Sequence, residues 1–142
     1  METRGLLAPT SATETREYYE AVGPAAQTVV REVARGIGLD REAYASAVTA
    51  DLVETARDAL FASLLAVKVG SMAEWEDQRA ALADDVAVST VGSEHVERVV
   101  WHEAPFAGQA VAATFQDEPD AAVATLRRQA FGRIYRDVLH EA

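Results

Sequence analysis

The sequence predicts an α+β domain. N-terminal helices precede a small, mainly antiparallel sheet in the order β-α-β-β-β-α, and a long C-terminal helix packs on that sheet. Three observations predict it. Apolar residues recur at helical spacing through roughly the first sixty positions. The middle of the chain then turns to Val-rich runs punctuated by Gly and Pro, and the last segment carries one apolar arc at 100° per residue. No stretch rich in Pro, Gly or Ser divides the two parts, so residues 1–142 read as a single domain, with 1–10 as a flexible arm.

Ser11-Ala12-Thr13-Glu14 has the spacing of a capping box, in which a serine side chain and a glutamate three residues on satisfy each other's free N–H groups, and predicts a helix to Val22. Gly23-Pro24 predicts a break, with Pro24 opening a second helix. Ala26, Val30, Val33 and Ile37 form its inward stripe, and Gly36 and Gly38 end it. Asp40 reads as the cap of a third helix. A fourth begins near Thr49 with Leu52, Val53, Ala56, Ala59 and Leu60 facing inward. Leu65 to Val69 is β-prone, Ser71-Met72-Ala73-Glu74 is a second capping box opening a helix to about Leu82, and Val86 to Val91 is a strand. Gly92-Ser93-Glu94-His95 reads as a turn. Val96–Glu103 and Gln109–Phe115 pair as a hairpin around Pro105-Phe106-Ala107-Gly108, where Pro presets the turn and Gly closes it. The final helix runs from about Pro119 to Leu139, with acids at its positive end.

Composition says where such a chain works. Of 13 basic residues only Lys68 is a lysine, against 23 acids and a formal net charge of −10. Arg in place of Lys, many acids, and small apolar residues suit a halophilic, haloarchaeal cytoplasm, where excluded salts already strengthen apolar burial. Zero Cys excludes disulfides, thiol nucleophiles and Cys-ligated metals. The opening residues lack a signal peptide's basic head and long apolar stretch. The longest near-apolar run, Ala59 to Val67, is about half the ~20 residues a membrane helix needs. Nucleic acid is a poor partner for a negative chain in high salt, since the gain from counterion release shrinks steeply there.

The opening Met1-Glu2-Thr3-Arg4-Gly5-Leu6-Leu7-Ala8-Pro9, the segment Val99-Val100-Trp101-His102-Glu103-Ala104-Pro105-Phe106-Ala107-Gly108 and the ending from Ala124 to Arg136 resemble a haloarchaeal family of short acidic proteins of unknown function. The resemblance spans essentially the whole chain and implies a domain with no assigned activity and no catalytic residues to transfer.

Chemistry-bearing patterns are few. The chain lacks a Walker loop, Gly-x-Gly-x-x-Gly, Gly-x-Ser-x-Gly and His-Glu-x-x-His. A metal would need His95 and His102 to converge, but their parity along a strand opposes them, so neither a metal nor a cofactor is expected. The strand around Trp101 divides into a Glu97, Val99, Trp101, Glu103 face and a Val96, Arg98, Val100, His102 face. Each is half apolar, so both faces are expected to be covered, with the Trp101 face as the core.

In the last helix Val123, Leu126, Ala130, Phe131, Ile134 and Val138 share an arc into which Arg127 falls, while Arg128, Arg133 and Arg136 lie outside it. A guanidinium there needs a partner, with Glu97 or Glu103 the expected carboxylates. That partnership reads first as a structural ion pair, or as an arginine snorkelling past the edge of the core, and second as an anion- or substrate-binding site. The acid clusters 74–77, 84–85 and 117–120 read as solvated faces.

The leading functional reading is a non-enzymatic accessory or protein-interaction domain, self-associating or docking on another haloarchaeal protein, with Phe106 exposed at the hairpin tip. The alternative is a small enzyme or small-anion binder with a pocket around Arg127 and His102 or Glu103.

Overall fold

The computed structural model describes residues 1–93 and 96–140. The predicted turn 92–95 and His95 therefore lie partly or wholly outside the described residues. Five strands, β1 (Glu2–Arg4), β2 (Val67–Ser71), β3 (Ala87–Val91), β4 (Arg98–Ala104) and β5 (Gln109–Phe115), form one sheet in the order β1-β2-β4-β5-β3. All neighbours are antiparallel except β3 and β5, which run parallel. The helices are α1 (Ala12–Gly36), α2 (Arg41–Ala47), α3 (Ala50–Leu64), α4 (Met72–Ala81), α5 (Pro119–Ala130) and α6 (Arg136–His140). A π turn, Phe131–Tyr135, joins the last two without interrupting the rod. The architecture is the α+β arrangement the sequence predicts.

Local chemistry explains most boundaries. Ser11 caps α1, accepting from the Glu14 N–H at 3.0 Å, while Glu14 reaches back to the Thr10 N–H rather than closing the box on Ser11. Asp40 and Thr49 cap α2 and α3. At Ser71 the box is complete: Ser71 Oγ accepts from the Glu74 N–H and Glu74 Oε1 from the Ser71 N–H. The same serine ends β2, so strand and helix meet without a loop. Gly108, at φ +66°, takes the left-handed position that closes the Pro105–Ala107 turn between β4 and β5.

Two expectations fail at the amino end. Residues 1–10 are not a free arm: Glu2–Arg4 form an edge strand, with Thr3 opposite Lys68, and Leu7 bridges to Leu65. Three residues, two of them charged, carry no period a sequence reading could detect. Nor does Gly23-Pro24 break the first helix, which continues to Gly36. Pro24 removes the donor to the Glu20 carbonyl. Packing of α1 along α3 outweighs that loss, and Arg57 of α3 donates to the adjoining Tyr19 carbonyl at 2.8 Å while lying over the Tyr19 ring. Gly23 leaves room for this arginine, since a Cβ there would sit 3.3 Å from its guanidinium.

Both sheet faces are covered, as the mixed polarity of β4 requires, but the larger core lies opposite the expected one. Val67, Val69, Val100, Ala104 and Val111 pack beneath Phe61, Leu65, Val123, Leu126, Ala130, Phe131, Ile134 and Tyr135. Trp101 faces the other way, buried with Val99 and Ala112 under Trp75 of α4, the two indoles 5.4 Å apart at 44°. Its ring lies over Gly70, where a Cβ would come within 3.0 Å of it. Apolar area thus selected a buried face correctly but not the main one, because the main core draws on three helices and α4 is only ten residues long.

The far end of the helical layer is thinly packed. Val33 and Ile37, expected on the inward stripe, are 58% and 69% exposed, and α2 buries none of its residues. Leu52 and Ala59 of α3 also face solvent, and Phe61 and Ala62 are that helix's buried residues.

Candidate functional site

The sequence nominated Arg127, Glu97, Glu103, His102 and Phe106, and the fold separates them. Arg127 and His102 lie on the helical side and hold consecutive carbonyls at the start of β2. Arg127 Nε donates to the Leu65 carbonyl at 2.9 Å and its second nitrogen to Arg4 O at 3.2 Å. His102 Nδ1 sits 2.6 Å from the Ala66 carbonyl and Nε2 2.5 Å from the Tyr135 hydroxyl. A carbonyl only accepts, so Nδ1 carries the proton and Tyr135 donates to Nε2. Burial holds His102 below its ordinary pKa, partly opposed by the Ala66 bond, and burial pushes Tyr135 above its own. Burial and then the Arg4 charge lower the Arg127 value, but the guanidinium stays ionised.

The expected Arg127 carboxylate is therefore corrected. Glu103 points to the opposite face of β4 by parity, and Glu97 is exposed beyond the far end of that strand. Main-chain carbonyls take the role instead. Tyr135 was missed because the π turn adds a residue to the helical period, bringing position 135 inward where a 3.6 repeat selects 138.

Glu103 has different company. Register places Lys68 opposite Trp101 and Thr3 opposite Lys68, so all three share the α4 face of the sheet with Glu103. Helix α4 covers Trp101 but leaves this end open, and a cavity of about 370 Å³ forms there. Lys68, Trp101 and Glu103 line it, with Thr3, the segment 8–10 and Phe106 as walls; His102 also borders it, although both its ring nitrogens are engaged. Phe106 is not a free tip. It is half-buried, packs on the main core and meets the Tyr135 ring at 6.4 Å.

Among the described residues, two buried side-chain polar atoms lack a hydrogen-bond partner, Trp101 Nε1 and Glu103 Oε1. Both belong to residues lining this cavity. Lys68 and Glu103 share its wall without forming an ion pair. A buried donor and a buried acceptor left unsatisfied each cost about 1–3 kcal/mol. Among the described residues no cluster of metal-ligating side chains occurs, and no helix is long and apolar enough to cross a membrane.

A family model described as a family of unknown function (DUF5809) matches residues 6–136. The chain belongs to that family. The DUF5809 match takes in the Val99–Gly108 and Ala124–Arg136 segments and the later part of the opening one. No curated protein and no solved structure matches this DUF5809 chain.

Proposed function

We propose that this DUF5809 domain binds a small polar molecule in the cavity between Lys68 and Glu103. The observation that carries the reading is one cavity lined by Lys68 and Glu103, opposite charges that share its wall without forming an ion pair. Its volume is at the small end of ligand sites, which suits a metabolite rather than a dinucleotide. The acid-rich, nearly lysine-free composition supports a high-salt cytoplasm, that of a halophilic archaeon, as its setting.

Trp75 and Trp101 are the chain's two tryptophans and they pack against each other, with Trp101 in the cavity lining, so intrinsic fluorescence reports on the site. Titration of a panel of small polar metabolites in 2 M KCl is expected to yield a saturable change that Glu103→Gln weakens. A panel with no saturating member, or one that binds Glu103→Gln as well as wild type, refutes the reading.

A second reading, a protein-interaction domain docking on itself or on another protein of the same cytoplasm, is favoured by the exposed Val29 and Val33 on α1 and Ile37 at its end. Light scattering in 2 M KCl tests it. A mass above that of the monomer which Val33→Glu reduces supports association, and a monomer at every concentration opposes self-association.

A further inference from the structure

Resting on the ligand-pocket reading, we infer that the cavity takes a small zwitterion carrying a primary ammonium, of the α-amino-acid type. The cavity presents both signs of charge. Lys68 and Trp101 are direct neighbours across β2 and β4 and both line the cavity, where Lys68 supplies a positive charge and hydrogen-bond donors. Glu103 lies two positions further along β4 on the same face, roughly 7 Å away along the strand. It offers a carboxylate whose buried oxygen has no donor. A carboxylate on the ligand answers Lys68, and an N–H-bearing cation answers Glu103.

Neither simpler ligand satisfies the site. A lone anion would meet Lys68 but lie near the Glu103 charge. A lone cation would meet Glu103 beside an uncompensated ammonium. A quaternary ammonium has the right charges but no N–H to give the Glu103 carboxylate. Lys68 and Glu103 could in principle neutralise each other, since diagonal neighbours on paired strands are within reach of long side chains. In this structure they do not meet, and a bridging ligand gives both a partner.

The test uses the full chain in 1 M KCl, with glycine and L-alanine as probes and acetate, methylammonium and trimethylglycine as controls. Binding is read by calorimetry, and its location by the Trp101 indole N–H signal in ¹⁵N-edited NMR. Glycine or alanine is expected to bind at least about tenfold more tightly than any control and to shift the Trp101 signal. Lys68→Met and Glu103→Gln are each expected to weaken the amino acid by about 10- to 100-fold, the range for losing one charge-assisted contact. If one variant fails to fold, the other decides.

Acetate, methylammonium or trimethylglycine binding as well as glycine, with the Trp101 signal moving, overturns the inference of a zwitterion with a primary ammonium while the pocket reading stands. The same holds if the amino acids leave Trp101 unmoved while another metabolite shifts it. If neither these probes nor a broad panel of small polar molecules moves the Trp101 signal, both readings fall.

Discussion

Removing the Arg127 side chain tests whether the fold uses this arginine as a main-chain clamp. Arg127→Ala deletes a donor to the Leu65 carbonyl at 2.9 Å and one to the Arg4 carbonyl at 3.2 Å. A hydrogen bond from a charged donor contributes about 1.5–3 kcal/mol, and a stranded buried carbonyl costs about 1–3 kcal/mol. Leu65 is fully buried, so its carbonyl bears most of the loss, whereas Arg4 is accessible and water replaces much of that contact. Arg127 itself is only half-buried, which lowers the sum. The expected cost is about 2–3 kcal/mol, or roughly 8 °C in melting temperature for a chain of this size. Arg127→Lys, keeping one donor for one carbonyl, is expected to recover about half. The assay is equilibrium urea unfolding followed by circular dichroism at constant high salt. A buried ion pair would behave differently: removing one partner costs about 3–5 kcal/mol, and neutralising the acid restores it. A loss under about 1 kcal/mol, or one rescued by Glu103→Gln, refutes the clamp.

Four further outcomes follow from the same geometry. His102 is held neutral, its folded pKa below the ordinary ~6.5, so its stabilising contribution is complete above pH 6.5 and falls as pH drops below that, by up to about 1.4 kcal/mol per unit; unfolding free energies at pH 7.5, 6 and 5 are expected to show a steeper fall for wild type than for His102→Gln, and equal slopes would show that burial does not suppress its charge. Tyr135→Phe removes the donor to Nε2 and is expected to cost about 1–2 kcal/mol in urea unfolding; an unchanged midpoint would argue against the bond. Pro24→Ala restores a helical N–H within a continuous α1 and is expected to raise stability by at least about 1 kcal/mol, with a lowered melting temperature showing that the proline is needed there. Dialysis from about 2 M to about 0.1 M KCl, where the Debye length reaches about 10 Å, is expected to lower the melting temperature sharply, and an unchanged value would remove the high-salt reading.

The elements were legible where a local signal names them. Ser71 and Glu74 satisfy each other whatever the tertiary context, and Pro105 with Gly108 sets the hairpin turn. The half-polar faces of β4 announced cover on both sides. Everything decided by distant packing was hidden. Glu2–Arg4 become a strand only because β2 offers an edge, Pro24 stays helical because α3 lies against it, and Tyr135 turns inward because the helix widens by one residue. The site was legible in its members but not in its grouping. Parity already set Glu103 apart from His102, yet Arg127 was paired with carboxylates because side chains can be counted in a sequence and free carbonyls cannot. Lys68, read as a compositional oddity, was not connected with Glu103 because their adjacency arises only from the β2–β4 register.

That register gives the lysine a practical significance. A chain with one ε-amine, placed in its candidate pocket, carries a built-in chemical handle. Reductive methylation with ¹³C-formaldehyde would mark Lys68 and the chain's α-amine and no other amine, so the pocket would report as a single dimethyl-lysine resonance. Amine-directed fragments could likewise be tethered there without competing side reactions at other lysines. The scarcity of lysine thus leaves the pocket addressable one atom at a time.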